Sequence, residues 1–541
     1  MADRPLPAPA PHEAAFWLGG AIGELRIGWC APCAAWRHPS LAICPDCLTA
    51  INEYRVASGK ATVLAITVNH QRWVDGFELP YAIAIVGLKE DSSIRLTTNI
   101  TNMAPEAVRV GMSVRVTFLQ QQDIWLPLFE PDPDEGPEDQ PIRLDLPAPV
   151  VRPGNRVRRF EEKVAFTGIG TSTIGRKLAV SNLSLTIDAC MAAIADAGLD
   201  RRDIDGICAY PGSAGLPGVS SGGIRAVEQI LRINPVWHCG AHETPGQAGT
   251  VIDAMLAVAS GLCRHVLCFT SFAEAVRPAI REAHGRIGGE LAWRVPFGAA
   301  SPANWIALYA SQYFARFGAD REMLGWIAIN ARRNAALNPE ALYTRPIDLD
   351  DYFSVRLISS PFGLFDCDVP CDGAIAFVVS AIDAAQDQPH RPILVEAVGT
   401  QIAEPQSWDQ GTLTHQANIF GPAAHLWTRT ELTPGEVDVA LLYDGFTFNV
   451  VSWLEALGFC GFGEAAAFLD GGRTIARDGA LPLNPHGGHL CAGRTNGYGH
   501  LREAIIQLRG HAGERQIINS NVALVSNGGG IPASCMLLRR Q

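Results

Sequence analysis

Two pairs of closely spaced cysteines near the N-terminus constrain the fold more than any other feature of this sequence. Cys30 and Cys33 form the first pair, and Cys44 and Cys47 form the second. Tetrahedral zinc needs four thiolates or imidazoles, and two Cys-x2-Cys pairs supply them. The spacing therefore predicts a zinc ribbon within residues 1–53. Because cysteine fills all four places, no position remains for water, so the predicted zinc is structural rather than catalytic.

A change in composition divides the chain in two. Residues 131–155 are rich in proline and acidic residues and poor in aromatic ones. Such a stretch is typical of an extended, semi-rigid linker. Since 541 residues are too many for one core, residues 131–158 are predicted to join two separate folding units.

Short apolar runs follow the cysteines in the first unit, with turn residues between them. Strands at this spacing predict a small β-barrel over residues 54–130, and an OB fold fits this pattern. The runs are Ala61–Val68, Tyr81–Leu88, Ile94–Ile100 and Ser113–Phe118.

Residues 159–541 alternate between strand-like and helix-like patterns, which indicates an α/β architecture. Val164–Ile169 is a predicted strand, and Asn182–Ala197 is a predicted helix with Ser181 or Asn182 as its cap. Val251–Leu262 is apolar nearly all round, which predicts a buried helix.

Two segments of this larger unit recur at a nearly constant offset. Lys163-Val-Ala-Phe-Thr-Gly-Ile-Gly resembles Pro392-Ile-Leu-Val-Glu-Ala-Val-Gly, and Asp203-Ile-Asp-Gly-Ile-Cys resembles Glu436-Val-Asp-Val-Ala-Leu. A constant offset predicts two copies of one α/β unit. The copies would occupy residues 159–388 and 389–541.

Composition and charge exclude several function classes. The net charge is -12 and no basic block stands out, so nucleic acid is not an expected partner. No apolar run reaches about 18 residues, so no membrane span is expected. The N-terminus lacks the basic-then-apolar order of a signal peptide. These features predict a cytoplasmic protein, in which the other cysteines are buried thiols rather than disulfides.

The first unit carries a recognisable order of motifs. Phe16-Trp17 comes first, Cys44-Pro45-Asp46-Cys47 completes the cysteine set, and the predicted barrel follows. This order resembles the zinc-ribbon/OB-fold proteins that accompany thiolases and related acyl-CoA enzymes. The resemblance implies that the barrel docks on a thiolase-like partner, to which it is fused here, and helps to place acyl-CoA.

Several motifs of residues 160–541 together resemble the thiolase superfamily, specifically its sterol-carrier-protein-x and lipid-transfer-protein branch. The resemblance implies a duplicated βαβαβαββ fold after the ribbon and barrel, and a dimer formed through this unit. The matching segments are Pro361–Asp368, Cys371-Asp-Gly-Ala, Tyr443-Asp-Gly-Phe-Thr, Leu457-Gly-Phe-Cys, Gly463-Glu464, Leu483-Asn-Pro-His-Gly-Gly and Gln507-Leu-Arg-Gly.

The cysteine that thiolase chemistry requires is missing from its expected place. A thiolase carries a nucleophilic cysteine at the N-terminus of its buried helix, where the helix end favours the thiolate. Counting back from Gly261-Leu262, this place falls at Glu243 or Thr244, and Cys239 lies four or five residues earlier. The nucleophile of a thiolase is therefore not expected in this chain.

The acid/base residues of this thiolase branch are also replaced. Tyr443 stands where the branch carries a histidine, and Gly493-Arg494-Thr495 stands where it carries Gly-His-Pro. The segment Val525–Gly530 lacks the second cysteine or histidine. Since a Claisen thiolase needs both a nucleophile and an acid/base group, a different reaction is expected.

These departures narrow the resemblance to the steroid side-chain aldolases of the lipid-transfer-protein branch. The resemblance implies an acyl-CoA carbon–carbon lyase that cleaves a bulky β-hydroxyacyl-CoA, such as one with a steroid side chain, by retro-aldol reaction. Such a reaction needs a base for the β-hydroxyl proton and stabilisation of the enolate, but no cysteine.

The candidate site residues come from these motifs. Tyr443 is expected to take or relay the proton, assisted by Tyr498 or by a histidine of the Asn484–His489 loop, of which His486 is the one chosen. A tyrosine with a pKa near ~10 needs a positive neighbour to act as a base near neutrality, and Arg494 would supply that charge. The predicted substrate-binding residues are Asp444, which is expected to orient its loop, Gly487, Gly488 and Arg494.

Two other functions stay open at this stage. One is a thiolase or acyltransferase that uses Cys239 as its nucleophile. The other is a non-catalytic protein that binds acyl-CoA or lipid in the same pocket. The expected cofactor set in every case is one structural zinc, with a CoA thioester as substrate or ligand.

Overall fold

A computed structural model describes residues 4–39, 41–135, 150–153, 159–212, 220, 223–241, 243–273, 286–386, 388–403, 420–530 and 533–541. Most of the predicted linker, residues 131–158, lies outside the described residues. None of the helices in these ranges combines the length and the apolar character that crossing a membrane requires.

A short helix and a three-stranded antiparallel sheet begin the chain. The central strand β1 pairs with both β2 and β3. Cys30 ends β1, so the first cysteine pair lies at the turn between β1 and β2. Strand β3 crosses the predicted boundary at residue 54. The elements are α1 (Ala14–Leu18), β1 (Leu25–Cys30), β2 (Ala35–Arg37) and β3 (Glu53–Ala57).

The barrel that follows is built from antiparallel strands. They are β4 (Lys60–Asn69), β5 (Tyr81–Leu88), β6 (Arg95–Thr98), β7 (Ser113–Gln121) and β8 (Ile124–Pro131). Strand β4 pairs with β5 and β7, β5 pairs with β6, and β7 pairs with β8. The first four strands confirm the sequence-based prediction. The sequence did not predict β8, which contains Pro127 and Pro131, because proline cannot donate a hydrogen bond within a sheet.

Strands and helices alternate in both halves of the larger unit. The first half contains β9 (Val164–Thr171), α2 (Asn182–Asp196), β10 (Gly206–Ala209), α3 (Gly223–Leu231), β11 (Trp237–Gly240), α4 (Gly249–Ala259), β12 (His265–Phe272), α5 (Pro302–Phe317), α6 (Arg321–Ala335), α7 (Leu349–Ser354), β13 (Leu357–Ser359), β14 (Phe362–Gly363) and β15 (Gly373–Ala381). The second half contains β16 (Ile393–Gly399), α8 (Gly421–Trp427), β17 (Val439–Leu441), α9 (Thr447–Ala456), α10 (Ala465–Leu469), α11 (Gly488–Cys491), α12 (Tyr498–Arg509), β18 (Val522–Asn527) and β19 (Ser534–Arg540).

The predicted strand, capped helix and buried helix of the first half are confirmed as β9, α2 and α4. Ser181 caps α2, because its Oγ accepts a hydrogen bond from the backbone N–H of Ser184 at 3.0 Å. Helix α4 is buried along most of its length, which accounts for its apolar sequence.

One mixed sheet runs through both halves, and its nine described strands have the order β11-β10-β12-β15-β9-β16-β19-β18-β17. Strands β9 and β16 meet at its centre, where Phe166 pairs with Ile393 and Ala165 with Leu394. Outward from this pair, β15, β12 and β10 correspond to β19, β18 and β17. The recurring sequence segments lead into β9 and β16 and into β10 and β17, so the predicted duplication is confirmed.

Helices α4 and α12 share one buried core with strands from both halves. Met255 of α4, Leu501 of α12, Phe377 of β15 and Val525 of β18 all belong to it. A further core forms around α5, α6 and α9. The candidate site is built on the loop that follows β17 and on the segments of α11 and α12 that are hydrogen-bonded to it.

The barrel packs directly against the larger unit. Asn69, the last residue of β4, pairs with Ser359 of β13. The buried amide of Asn304 donates to Asn69 Oδ1 and to Ser359 Oγ, both at 3.0 Å. Trp17 of α1 packs on Trp293, with ring centroids 4.9 Å apart. The docking that the resemblance implied therefore occurs within one chain.

Candidate active site

Tyr443 lies just after β17, where the chain turns toward α9. Its backbone N–H donates to Ser526 Oγ of β18 at 2.9 Å, which fixes the loop against the neighbouring parallel strand. Crevices at the carboxyl ends of such strands are where α/β sheets place their ligands. The sequence motif Tyr443-Asp444 thus occupies the expected edge of the sheet.

The carboxylate of Asp444 is the buried centre of this loop. Its Oδ1 accepts hydrogen bonds from the backbone N–H of His489 at 2.7 Å and from His500 Nε2 at 3.0 Å. Its Oδ2 has no hydrogen-bond partner among the described residues. Asp444 therefore ties together the loop after β17, helix α11 and helix α12, which agrees with its expected role of orienting the loop.

Three buried histidine rings lie in a row beside Tyr443. The centroids of Tyr443 and His489 are 5.0 Å apart, those of His489 and His500 are 4.5 Å apart, and those of His500 and His486 are 5.1 Å apart. Burial, with the charge of His500 adding to it, lowers the pKa of His486 and His489 well below the ordinary value. These two imidazoles are therefore neutral near pH 7.

The tautomer of His489 follows from one hydrogen bond. Its Nε2 accepts from the backbone N–H of Gly497 at 3.1 Å, so the ring hydrogen must be on Nδ1. This Nδ1 lies 4.0 Å from Oδ1 of Asp444. A neutral ring with its hydrogen directed to the carboxylate side is the form that this environment favours.

This tautomer argues against a metal ion in the cluster. The ligand atoms of Asp444, His489 and His500 lie within 4.8 Å of one another, as they would around an ion. A histidine that binds metal through one nitrogen carries hydrogen on the other and donates it to an acceptor. At His489 that other nitrogen faces a backbone donor, so the donor set does not fit a metal.

The hydroxyl of Tyr443 is held in its protonated form. Burial, followed by the negative charge of Asp368, raises the pKa of Tyr443 above the ordinary value, and the positive charge of Arg494 offsets only part of this. The sequence analysis expected Arg494 to make Tyr443 a base near neutrality. The balance of burial and charge instead favours a tyrosine that donates its proton.

Asp368 and Arg494 form an ion pair in the wall next to Tyr443. Arg494 Nη1 lies 3.4 Å from Asp368 Oδ1. The backbone fixes this arrangement, since Asp368 N–H donates to Gly445 O at 3.0 Å and Arg494 N–H donates to Val369 O at 2.7 Å. Segment 366–370 is therefore hydrogen-bonded to both loops that carry candidate site residues.

A cavity of about 520 Å³ opens beside these loops. Asp368 and Cys491 line its inner side, while Arg332 and Arg345 contribute positive charge. Arg176 also lines it and donates to the hydroxyl of Tyr343 at 2.6 Å. The wall combines apolar and basic groups. Its lining residues are Arg176, Ala328, Arg332, Tyr343, Arg345, Ile347, Asp351, Leu364, Phe365, Cys367, Asp368, Val369, Pro370, Leu490 and Cys491.

The other predicted site residues occupy different surroundings. Tyr498 begins α12, where its hydroxyl hydrogen-bonds that of Thr250 at 3.0 Å and its ring packs against Phe377. His486 lines a second, small cavity of about 30 Å³, which is large enough for one water molecule. Gly487 lies against Ala335 of α6. None of the predicted site residues is among those that line the larger cavity, and Tyr443 and Arg494 lie behind its wall, next to Asp368.

Cys239 does not lie at the N-terminus of α4. It belongs to β11, and its Sγ is 3.8 Å from a carboxylate oxygen of Asp253. Burial, together with the charge of Asp253, raises the pKa of Cys239 to about 11, so the thiol is protonated near neutrality. At the N-terminus of α4, where a thiolase carries its cysteine, the backbone N–H of Ala248 instead donates to Asn527 Oδ1 at 3.0 Å.

The four cysteines of the ribbon are brought together as predicted. The Sγ atoms of Cys30 and Cys47 are 3.4 Å apart, and those of Cys33 and Cys44 are 3.8 Å apart. Tetrahedral zinc with Zn–S bonds of about 2.3 Å separates its sulfurs by about 3.8 Å. The donor set therefore fits zinc, held by sulfur alone.

Arg37 supports the thiolate form of Cys44, one cysteine of this set. Its Nε donates to Cys44 Sγ at 3.3 Å. Burial acts to raise the pKa of Cys44, but hydrogen bonds from the backbone N–H of Cys47 and from Arg37 outweigh it and lower the pKa to about 6. A partly ionised cysteine is prepared to bind a metal cation.

Three residues of this site were not chosen from the sequence: Asp368, His489 and His500. Asp368 ends the motif Pro361–Asp368, His489 ends the Asn484–His489 loop, and His500 lies two residues after Tyr498. Their importance depends on contacts between segments far apart in the chain, such as the bond between Asp444 and His500. The only signal in the sequence was their closeness to the motifs themselves.

Comparison with known proteins gives matches to both units. Residues 404–538 match the family model described as "Thiolase C-terminal domain-like". Residues 54–119 match the model described as "ChsH2, C-terminal OB-fold domain". The barrel and the second half of the larger unit therefore each have an independent family match.

Relatives of known name match the larger unit over nearly their whole length. The chain is 35% identical over 395 residues to a steroid side-chain-cleaving aldolase of Thermomonospora curvata, covering 69% of this chain and 97% of the relative. It is 31% identical over 392 residues to the 17-hydroxy-3-oxo-4-pregnene-20-carboxyl-CoA lyase of Mycobacterium tuberculosis, covering 70% of this chain and 99% of the relative.

A solved structure gives the same result. The structure named Ltp2-ChsH2(DUF35) aldolase matches with a TM-score of 0.62 at 33% identity, covering 70% of this chain and 98% of that chain. The chain therefore belongs to the aldolase branch of the thiolase superfamily that these relatives represent.

Proposed function

We propose that this protein is an acyl-CoA carbon–carbon lyase that cleaves a bulky β-hydroxyacyl-CoA by retro-aldol reaction. The observation that carries the proposal is the replacement of thiolase groups at the carboxyl edge of the sheet, where Asp368 lines the cavity. A protonated Tyr443 and the Asp368–Arg494 pair occupy the catalytic edge of the sheet, while Cys239 lies in β11 as a protonated thiol. Such a set supports enolate chemistry and offers no activated nucleophile.

The reaction would use the neutral hydroxyl of Tyr443 as its acid. As the bond between the α- and β-carbons breaks, its electron pair moves into the enolate of the departing thioester. Tyr443 then gives its proton to this enolate, and Arg494 stabilises the negative charge as it develops. A donor held in a buried site is far more effective in this task than one in water.

The cavity walls suit the two ends of such a substrate. Arg176, Arg332 and Arg345 offer charge to the phosphates of CoA, and Arg guanidinium groups bind phosphate well. Leu364 and Phe365 offer apolar surface to the acyl part. We propose a steroid side chain as the acyl group, because two relatives carry names that describe steroid cleavage.

The proposal also covers the oligomeric state, the metal and the cellular location of the protein. The sheet ends at β11, whose one pairing strand among those described is β10. An open edge of this kind is suited to pairing with a second copy of the chain, which supports a homodimer formed through the thiolase-like unit. We further propose that the ribbon binds one structural zinc and that the enzyme acts in the cytoplasm.

A panel of substrates tests the function. Purified protein would be incubated with matched β-hydroxyacyl- and β-ketoacyl-CoAs, including esters with a tertiary β-carbon, and the products would be identified by mass. We expect each reactive β-hydroxyacyl-CoA to give a carbonyl compound and a shortened acyl-CoA. CoA-dependent cleavage of the β-ketoacyl-CoAs would instead support a thiolase, and tight binding without turnover would support a carrier protein.

A further inference from the structure

The proposed reaction needs a proton acceptor as well as a donor. The β-hydroxyl proton must leave before or while the carbon–carbon bond breaks, and Tyr443 already carries its own proton. The acceptor must therefore be another group at the inner side of the cavity. Geometry decides this question first, because a general base has to reach the proton that it removes.

The cavity lining offers few groups that can accept a proton. Burial raises the pKa of Cys367 well above its ordinary value and that of Cys491 to about 12, so both thiols are protonated. The arginines are permanent cations. Among the described lining residues, the remaining acids are two carboxylates, Asp351 and Asp368.

These two carboxylates lie in different surroundings. Asp351 belongs to α7, its side chain is 40% exposed, and its charged neighbour is Arg345 at 3.9 Å. The side chain of Asp368 is 13% exposed and pairs with Arg494 at 3.4 Å. The backbone of Asp368 is hydrogen-bonded to Gly445 at 3.0 Å, and a Cβ at Gly445 would lie 2.8 Å from the ring of Tyr443, so Asp368 is close to the proposed acid.

The backbone holds Asp368 in this position from two sides. Its own N–H donates to Gly445 O at 3.0 Å, and the next residue, Val369, donates to His489 O at 3.0 Å. Segment 366–370 therefore cannot move without also moving the loops of Tyr443 and His489. A carboxylate fixed between the acid and the cavity is preorganised for proton transfer.

We infer that Asp368 is the general base of the retro-aldol step. This inference rests on the proposed function. The β-hydroxyl gives its proton to the carboxylate of Asp368, and the oxygen forms a carbonyl as the bond between the α- and β-carbons breaks. The electron pair enters the thioester enolate, which takes the proton of Tyr443. Asp368 then returns its proton to Tyr443, so no net proton is gained or lost.

Arg494 has a positioning role in this arrangement. Its guanidinium lies 3.4 Å from Asp368 Oδ1 and holds that carboxylate in the wall of the cavity. A planar guanidinium has donors in fixed directions, which makes it suited to orienting a carboxylate.

The test compares Asp368→Ala with Asp383→Ala in the full-length protein, because the Asp383 side chain is 71% exposed and lies outside the cavity lining. We expect Asp368→Ala to lower kcat for β-hydroxyacyl-CoA cleavage by about 100-fold or more, with the Kd for the substrate and the melting temperature close to those of the wild type. Added formate should restore part of the rate, because a small carboxylate can occupy the vacated space. Asp383→Ala should retain most of the activity and show no effect of formate.

The outcomes separate this inference from the proposed function. A wild-type protein that cleaves no β-hydroxyacyl-CoA would overturn both. A wild type that cleaves, with an Asp368→Ala variant that cleaves as fast or that formate cannot restore, would overturn only the assignment of the base. If the alanine variant fails to fold, Asp368→Asn and Asp368→Glu replace it, and equal rates in these two variants would contradict the inference.

Discussion

Gly488 lies directly against the carboxylate of Asp444, so closely that a Cβ at position 488 would overlap Asp444 Oδ2. The φ angle of Gly488 is +61°, in the left-handed region. The sequence analysis proposed both residues for substrate binding. Their contact also has a structural role. Because glycine has no side chain, position 488 leaves room for the buried carboxylate of Asp444, which orients the loop of Tyr443.

We predict that Gly488→Ala lowers the free energy of unfolding by about 3 kcal/mol or more, since strain and overlap act together. Gly510→Ala is the matched control, because Gly510 has a φ angle of +76° and open space around its α-carbon. The control should cost about 1 kcal/mol. Denaturant unfolding of both variants measures the two losses in free energy of unfolding. Equal losses would show that the contact with Asp444 does not restrict the residue at position 488.

Tyr443→Phe tests the proposed acid. The ring and its packing on His489 remain, so we expect the variant to fold, to bind substrate and to lose about 100-fold or more in kcat. Tyr343→Phe is the control, because Tyr343 lines the cavity but its hydroxyl contacts Arg176, away from the Asp368–Arg494 pair. Steady-state kinetics on both variants gives the answer. A Tyr443→Phe variant with the wild-type rate would exclude the tyrosine from the chemistry.

Removal of zinc should affect stability before chemistry. The cysteine cluster packs with Ile51 in a small core of its own. The ribbon precedes the barrel in the chain and contributes no residue to the candidate active site. Cys30→Ser is expected to lose zinc, measured by elemental analysis, and to lower the melting temperature. The soluble fraction should keep its rate of cleavage. Cys460→Ser, which changes a cysteine outside the ribbon, should keep its zinc.

A buried carboxyl in α9 predicts a pH dependence of stability. Burial, only partly offset by hydrogen bonds from Tyr313 and the backbone, raises the pKa of Glu455 to about 7, whereas an unfolded glutamate has a pKa near ~4.3. Between these values the folded state holds a proton that the unfolded state has lost. The free energy of unfolding should therefore fall as pH rises through this window, by up to about 1.4 kcal/mol per pH unit.

Glu455→Gln checks this dependence, because glutamine does not titrate. Denaturant unfolding between pH 5 and pH 8 should give a smaller slope for the variant than for the wild type. A residual slope is expected at the acidic end, since burial also raises the pKa of Asp366 to about 6. Parallel curves for variant and wild type would show that Glu455 does not control the dependence.

Local patterns were enough to predict much of the fold. Cysteine spacing located the ribbon, alternating apolar residues located four barrel strands, and an offset between repeated segments revealed the duplication. The first two signals depend on residues close together in the chain, and the third depends on the likeness of two short segments in different halves of the larger unit. Strand β8 was not predicted, because Pro127 disfavours a strand. It forms nevertheless, through its antiparallel pairing with β7.

The site was less accessible to sequence reasoning. Tyr443 and Arg494 were predicted because they replace residues of a familiar motif, and their roles stay predictions. Asp368 was missed because its position next to Tyr443 depends on the bond between its N–H and Gly445 O, far along the chain. Whether Tyr443 acts as an acid or as a base depends on how deeply its hydroxyl is buried, because burial raises its pKa. A single sequence does not reveal the burial of one side chain.

The most direct test of the central claim is the stoichiometry of cleavage in the absence of free CoA. Wild-type protein and a Cys239→Ala variant would be incubated with one β-hydroxyacyl-CoA, and the carbonyl product and the shortened acyl-CoA would be counted by mass spectrometry. The account predicts equal amounts of the two products and the same rate for both proteins. A requirement for free CoA, or loss of activity in Cys239→Ala with its fold intact, would contradict it.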